Sequence, residues 1–174
     1  PGGGGVGYGR VLGGRRIPCA EEDRGFGRHW IIDPNGPLTP EGERGSAVSL
    51  LTISSIRYQI RAATGRDWTY EQILALAAAG EPMPARVIDE AARALGVLVA
   101  QISNFAMPQK ILIAGEGVGL MDVAGDTVRR TIAAQRHPMA TPVVLETKVS
   151  DFHDWARGAA VLAIQVLVLG AAES

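Results

Sequence analysis

The chain is poor in cysteine and in net charge, and each shortage excludes a class of protein. Cys19 is the single cysteine among 174 residues, so neither a disulfide framework nor a site of several thiolates can form within one chain. A lone cysteine favours a reducing compartment, and we expect a cytoplasmic protein. The formal net charge of −1 gives this segment no electrostatic reason to bind nucleic acid by itself.

Long apolar runs are also missing. No stretch reaches the roughly 18 uninterrupted apolar residues that a membrane helix needs. The longest candidate, residues 158–172, is short and contains Gln165. Apolar residues make up 47% and charged residues 20%, which is ordinary for a soluble globular domain with a sizeable core. We therefore predict one domain and no membrane partner.

Glycine, in contrast, is abundant at the start. We predict a flexible leader over residues 1–5, followed by a β-hairpin over residues 6–17. The same glycines could instead cradle a phosphate through their backbone N–H groups, although the hairpin is the favoured interpretation from the residues alone. Because the chain begins with Pro1, we expect it to be a fragment or a processed piece of a longer protein.

The rest of the chain is predicted to contain five helices, four of which are described first. The first spans residues 46–64, with Ser46 as its N-cap. A second runs from a capping box at Thr69 to Ala79, and a third helix spans residues 84–107. Its apolar face carries Val87, Ile88, Ala91, Leu95, Leu98, Val99, Ile102 and Phe105. The last helix is predicted over residues 151–169, capped by Asp151.

Two short apolar runs, residues 110–114 and 143–147, are typical of buried parallel strands. Between them, a glycine turn precedes a further helix over residues 121–135. A strand, a glycine turn and a helix form half of a ligand-binding α/β unit, which makes Gly115 and Gly117 candidate ligand-binding residues. Such a turn also serves simply to close a strand.

Residues 25–46 contain a histidine followed by the turn sequence Asp33-Pro34-Asn35-Gly36-Pro37. This segment resembles the sugar-site segment of the ROK family, which comprises repressors, open reading frames and sugar kinases. In that family, Gly-Glu-x-Gly-His leads into Asp-Pro-Asp-Gly-Pro and then Cys-x-Cys-Gly-x-x-Gly-Cys-x-Glu. His29 stands at the family histidine, and the resemblance makes His29 and Asn35 candidate ligand-binding residues.

Both the metal-binding cysteines and the sugar-binding glutamates of that segment are changed. The three cysteine positions are Thr39, Glu41 and Ser46, and the two glutamate positions that hold the sugar in the family are Phe26 and Val48. Structural zinc needs four donors, usually thiolates and imidazoles, so a single histidine with oxygen donors is a poor zinc site. We predict no bound metal and no cofactor. The glycines of the loop, Gly42 and Gly45, remain.

The resemblance extends over nearly the whole chain from Gly5 onward. Residues 5–15 line up with a glycine-rich phosphate loop, in which Tyr8 replaces a glycine. Residues 111–117, Ile-Leu-Ile-Ala-Gly-Glu-Gly, match a family strand and its glycines, and residues 156–163 match the final helix. It implies an α/β fold of the actin-like ATPase, ribonuclease H-like kind, with a mixed sheet and packed helices. Residues 1–174 would form a single C-terminal ROK-like domain without its N-terminal lobe or DNA-binding part.

Two functions are compatible with this resemblance. The favoured one is the effector and oligomerisation domain of a ROK-type transcriptional regulator, non-catalytic and responsive to a sugar or sugar phosphate. DNA would then bind only through a missing N-terminal helix-turn-helix. The alternative is the C-terminal lobe of a divergent sugar kinase, whose catalytic Asp and first phosphate loop would lie upstream. Because the cysteine and sugar-binding glutamate positions are changed, and because the resemblance places the catalytic Asp upstream, we predict no enzyme and no catalytic residue.

We also predict a homodimer. The apolar faces of the helices at 84–107 and 151–169 are too extensive for one small sheet to cover, and a two-fold interface would bury them. The remaining histidines, His137 and His153, are predicted to lie in a loop and at a helix start.

Overall fold

A computed structural model of the chain describes residues 5–12, 15–17, 29–148 and 161–167. Its sheet has five strands, which are β1 Gly5–Leu12, β2 Arg15–Ile17, β3 Lys110–Ala114, β4 Val144–Lys148 and β5 Val161–Leu167. The order across the sheet is β2-β1-β5-β3-β4. Strand β1 pairs antiparallel with β2 and β5, whereas β3 pairs parallel with β4 and β5. The predicted hairpin, the parallel strands and the α/β class are confirmed.

Helices fill most of the chain between the hairpin and β4. They are α1 Ala47–Leu51, α2 Ile53–Thr64, α3 Tyr70–Ala78, α4 Pro82–Ala106 and α5 Leu120–Ala134, with a 3₁₀ turn at Glu116–Gly119. In the described part of the chain, no helix combines the length and the apolar character needed to cross a bilayer.

The predicted helix over residues 46–64 is two helices, divided at Thr52. This residue has extended backbone angles, φ −78° and ψ 143°. Its hydroxyl donates to the Val48 carbonyl at 2.8 Å and accepts from the Ser55 amide at 3.2 Å, so it ends α1 and caps α2. A threonine hydroxyl can replace helical hydrogen bonds in this way, and apolar spacing does not reveal it.

The boundaries of α3 and the end of α4 follow the predicted punctuation, whereas the start of α4 does not. Both halves of the capping box at Thr69 are present, and Gly80 has φ 82°. Helix α4 begins at Pro82, two residues before the predicted start, because a proline at the first helical position sacrifices no hydrogen bond. It ends with Met107 in the left-handed region at φ 44°.

The predicted final helix is wrong over residues 161–167, which form β5. This strand lies between β1 and β3, at the centre of the sheet. Its sequence Val-Leu-Ala-Ile-Gln-Val-Leu is apolar at both odd and even positions, which suits a strand covered on both faces. The alanine-rich residues before it led to the helical prediction. Residues 151–160 and 168–169 of that prediction lie outside the described residues, as do Phe26, His153 and residues 1–4 of the leader.

Helix α4 is central to the core and packs against α1, α2, α3 and α5. The apolar face predicted for it is buried within one chain, except that Phe105 is 89% exposed. The buried members are Val87, Ile88, Ala91, Leu95, Leu98, Val99 and Ile102. One of the two surfaces on which the homodimer prediction rested is therefore covered internally, and part of the other is a strand. The homodimer stays a prediction.

Candidate functional site

Residues 29–46, called the 29–46 loop below, fold back on themselves before α1. Isolated bridges join Ile31 to Ser46 and Leu38 to Arg44. The amides of Ile32 and Asp33 both donate to the Gly45 carbonyl, at 2.8 and 3.1 Å. These bonds fix the start of the loop to its end, immediately before a helix, so the backbone here has one defined path.

The Asp33–Pro37 turn is stabilised locally. The Asn35 amide donates to the Asp33 carboxylate at 2.9 Å, and the Gly36 amide donates to the Asp33 carbonyl at 2.9 Å. Arg44 reaches back to the Gly36 carbonyl at 3.0 Å. A side-chain carboxylate that accepts a backbone amide two residues on is a common way to stabilise such a reversal, and it confirms the predicted turn.

Gly45 is required by the backbone itself. Its φ is 59°, and a Cβ atom built there would lie 1.5 Å from the Asp33 carbonyl oxygen. Gly36 packs against it, since a Cβ at Gly36 would lie 2.9 Å from the Gly45 Cα. Any larger residue would separate the two ends of the loop. These glycines serve the backbone path, and that need does not depend on a metal.

Glu43 contacts three of the four positions that correspond to metal ligands in the ROK motif. Its carboxylate lies 2.7 Å from His29 Nδ1 and accepts a hydrogen bond from the Ser46 hydroxyl at 3.2 Å. Its backbone amide donates to Thr39 Oγ1 at 3.2 Å, and its carbonyl accepts from the Thr39 amide at 2.8 Å. Sequence reasoning missed Glu43, because it occupies a variable position of the Gly-x-x-Gly step.

The donor set does not suit zinc. His29 offers an imidazole, whereas Thr39 and Ser46 offer buried hydroxyls and Glu41 is exposed. Across the ranges that the structure describes, no group of three or more His, Cys, Asp or Glu side chains could hold a metal ion. A tetrahedral zinc site built from one nitrogen and hydroxyl oxygens would be weak. The predictions of no metal and no cofactor stay predictions.

An open groove of about 750 Å³ lies beside the Asp33–Pro37 turn, within the size range of small-molecule sites. Its walls come from the turn, α2 and α4. The polar side chains that line it are Asp33, Asn35, Tyr58, Gln59, Arg86, Glu90 and Arg93. Arg86 pairs with Glu90 at 2.7 Å and Arg93 pairs with Asp89, so the guanidinium charges are partly balanced. Carboxylates, guanidiniums, amides and a phenol together can bind a hydroxyl-rich ligand.

The structure separates the four predicted ligand-binding residues. Asn35 lines the groove, and His29 lies on the same loop but faces Glu43 instead. Gly115 and Gly117 follow β3 and do not line the groove. As a binding site, the four residues stay a prediction.

The turn after β3 is held by the protein. Gly115 has φ 115° and ψ 179°, a conformation reserved for glycine, and its amide donates to the Lys148 carbonyl at 3.3 Å. The Tyr70 hydroxyl donates to the Gly117 carbonyl at 3.0 Å. Burial raises the pKa of the Tyr70 phenol well above its ordinary value, so it remains a donor. These contacts close the strand tightly and join it to α3 and β4.

Comparison with known proteins places this geometry in a family. A model described as the ROK family matches residues 3–166. The chain belongs to the ROK family. It is 30% identical over 113 residues to a kanosamine kinase from Amycolatopsis mediterranei (strain S699), a match that covers 64% of this chain and 37% of that protein.

Solved structures of ROK proteins show the same fold. A ROK family transcriptional regulator, a homologue of the E. coli MLC protein, superposes with a TM-score of 0.69 at 29% identity, covering 88% of this chain and 41% of that one. A ROK hexokinase from Thermus thermophilus gives a TM-score of 0.65 at 20% identity, covering 83% and 51%. The chain thus spans about half or less of these relatives, and the predicted actin-like fold is confirmed.

The prediction that the protein is not an enzyme is contradicted by these relatives. The 30%-identical relative is a kinase, and the fold is that of a ROK hexokinase. The error has a physical cause. The prediction treated the loss of the zinc cysteines and of the two sugar-binding glutamates as the loss of catalysis. A structural metal only holds a loop, however, and here Glu43 contacts three of the four ligand positions.

Proposed function

We propose that this chain is the C-terminal lobe of a ROK sugar kinase and that its 29–46 loop helps to bind the hydroxyl groups of the sugar. The observation that carries the proposal is the loop itself. Its turn, its two glycines and its histidine keep the ROK pattern, although the metal donors and the two sugar-binding glutamate positions, Phe26 and Val48, are changed. The identity with a kanosamine kinase favours phosphoryl transfer to a sugar as the reaction of the whole protein.

His29 is well suited to accept a hydrogen bond from a sugar hydroxyl. Its Nδ1 lies 2.7 Å from the Glu43 carboxylate, and its side chain is 53% exposed. A carboxylate that accepts a hydrogen bond from Nδ1–H of a neutral imidazole leaves Nε2 as an acceptor and directs it away from Glu43. A ligand hydroxyl could then donate to Nε2 without displacing any contact within the loop.

The adjoining groove supplies further partners for hydroxyl groups. Asn35 and Asp33 reach it from the turn, and Gln59 reaches it from α2. An amide can donate and accept, whereas a carboxylate accepts from two hydroxyls at once. We expect the sugar to contact the loop and the groove together, with the phosphate donor bound elsewhere. The catalytic base would come from the preceding lobe of the complete protein, as the family resemblance implies.

The direct test is ATP-dependent phosphorylation by the complete gene product. We expect phosphorylation of kanosamine, glucose or another hexose in a coupled assay that monitors ADP. His29→Ala should lower kcat/KM by about tenfold or more, because a hydroxyl of the bound sugar would lose its hydrogen-bond acceptor. His137→Ala is the matched control, since His137 is exposed and bonds only locally to the Met139 amide at 3.1 Å. Absence of phosphorylation with every hexose tested would contradict the kinase proposal.

A second candidate function is sugar sensing in a transcriptional regulator. It is favoured by the regulator structure, which matches at 29% identity over 88% of this chain. In this case the complete gene product would bind operator DNA through an upstream helix-turn-helix, and a sugar would change that affinity. Sugar-dependent DNA binding without ATP consumption would favour the regulator over the kinase.

Either function is compatible with a homodimer, which we propose as the assembled state. The exposed apolar side chains at the end of α4 and beyond it, Phe105, Met107 and Met139, are 80–89% accessible in one chain. Sedimentation at several concentrations tests this proposal. A mass that stays at 18.3 kDa for this chain would contradict it.

A further inference from the structure

We infer that Glu43 performs in this protein the structural task of the zinc ion that the ROK loop pattern implies, and so positions His29 for the sugar. The sugar-binding part of this inference rests on the proposed function. The structural part, that a carboxylate replaces the metal as the central contact of the loop, stands on the loop geometry alone.

The first argument is the position of the Glu43 carboxylate. One oxygen lies 2.7 Å from His29 Nδ1, and the other accepts from the Ser46 hydroxyl at 3.2 Å. A carboxylate can accept two hydrogen bonds in different directions, and such charge-assisted bonds are stronger than neutral ones. The carboxylate thus joins two of the four ligand positions, which is what a bound ion would do.

The second argument is the backbone of Glu43. Thr39, at a third ligand position, both donates to the Glu43 carbonyl and accepts from the Glu43 amide, at 2.8 and 3.2 Å. Thr39 is 5% exposed. These bonds fix the chain on either side of the Glu43 side chain, so the carboxylate is presented to His29 from a defined position. Only Glu41, which is exposed, lies outside this arrangement.

The third argument is the connection to α1. The Ser46 hydroxyl, which donates to Glu43, also accepts from the Ser49 amide at 3.2 Å and so caps α1. Ser46 is 1% exposed. A continuous series of contacts therefore runs from the exposed imidazole of His29 through Glu43 to the buried N-terminus of a helix. Glu43 is a positioning residue in this series, because it acts on a ligand through His29.

Replacement of Glu43 tests this role in the complete gene product. Glu43→Ala should raise the KM or Kd for the sugar by about tenfold, with a smaller change in kcat, because the imidazole loses its orientation. Glu43→Gln keeps an acceptor oxygen and should recover part of the affinity. Glu41→Ala is the matched control and should change neither the sugar affinity nor kcat by more than about twofold. Unchanged sugar affinity in Glu43→Ala would overturn the inference.

Metal dependence gives an independent test. A chelator selective for zinc, with the Mg²⁺ that ATP requires kept in excess, should leave the wild-type protein fully active. A variant with Thr39→Cys, Glu41→Cys and Ser46→Cys should bind one zinc together with His29, and adding Glu43→Ala to the zinc-loaded variant should then have little effect. If Glu43→Ala is as harmful with zinc as without it, Glu43 contacts the ligand directly and the inference fails. Loss of wild-type activity in the zinc-selective chelator, with Mg²⁺ still in excess, would also overturn it.

Hydrogen exchange separates this inference from the proposed function. The amides of Ile32, Asp33 and Gly45 are hydrogen-bonded within the loop. In the absence of any sugar, Glu43→Ala should raise their exchange rates about tenfold, whereas Glu41→Ala should not. If the wild-type protein binds no sugar but the exchange result holds, only the proposed function fails. Unchanged exchange in Glu43→Ala contradicts the inference itself.

Discussion

The 29–46 loop and helix α4 are ordered by different kinds of contact. In α4, Ile88 and Val99 are at most 1% exposed, and the helix contacts four others. In the loop, the apolar side chains Trp30, Ile31 and Leu38 are 39–52% exposed, so hydrogen bonds and glycine geometry determine the conformation instead. Substitutions on the buried face of α4 should therefore act on folding, and substitutions of polar side chains in the loop should act on ligand binding.

The close contact between α4 and α5 illustrates the difference between the core and the loop. A Cβ at Gly96 would lie 2.6 Å from Thr131 Cβ, and Asp89 accepts a hydrogen bond from the Thr127 hydroxyl at 2.8 Å. Two helices that approach this closely leave no room for a ligand. The loop beside its groove leaves that room, which is why we place binding there.

The largest expected effect is on the core. Ile88→Ala should lower the free energy of unfolding by about 3 kcal/mol, because it removes buried methyl groups and leaves a cavity. Urea denaturation measures the loss. Phe105→Ala, on the same helix but 89% exposed, is the control and should change the free energy by less than about 0.5 kcal/mol. Equal effects would mean that the buried face of α4 is not the core.

The next effect is within the loop. Gly45→Ala should cost about 2 kcal/mol, because its Cβ would meet the Asp33 carbonyl and its φ is positive. Gly42→Ala is the matched control, with φ 89° but nothing within 4 Å of the added Cβ, and should cost only about 1 kcal/mol. Thermal unfolding and sugar affinity should both report the difference. A Gly45→Ala protein with native sugar affinity would show that the loop path does not matter for binding.

The two regions also differed in how far the sequence could predict them. The position of α4 followed from apolar spacing and from proline at its start, since both express local and periodic constraints. The break at Thr52 and the contacts of Glu43 depend on side-chain hydrogen bonds that have no period, and periodicity therefore missed them. Strand β5 was mistaken for a helix because its place between β1 and β3 is a property of the whole sheet, which local spacing does not reveal.

A smaller effect is the pH dependence of stability that Tyr70, bonded to the turn after β3, should produce. The folded pKa of the Tyr70 phenol is raised above its unfolded value of about 10, chiefly by burial. Its contribution to stability is then fully present below about pH 10 and is lost as the pH rises further. Tyr70→Phe should cost about 1 kcal/mol at neutral pH, since the Gly117 carbonyl loses its donor. Unfolding measured from pH 7 to 11 should be less pH-dependent above pH 10 in the variant, and an unchanged alkaline slope would contradict this assignment.

The smallest expected effect on stability belongs to a residue that tests whether the sugar contacts α4 as well as the 29–46 loop. Arg93 is on α4 but lines the groove, and its ion pair with Asp89 is exposed. Arg93→Ala should cost about 0.5 kcal/mol in stability, as for other exposed pairs one helical turn apart. If the groove holds part of the sugar, the same change should weaken sugar affinity about fivefold, since a hydrogen bond to a charged donor is lost. Arg129→Ala removes a comparable exposed pair with Asp126 on α5, away from the groove, and is the control. Of these two arginines, Arg93 borders the groove and Arg129 does not. Equal sugar affinities in Arg93→Ala and Arg129→Ala would therefore confine binding to the 29–46 loop.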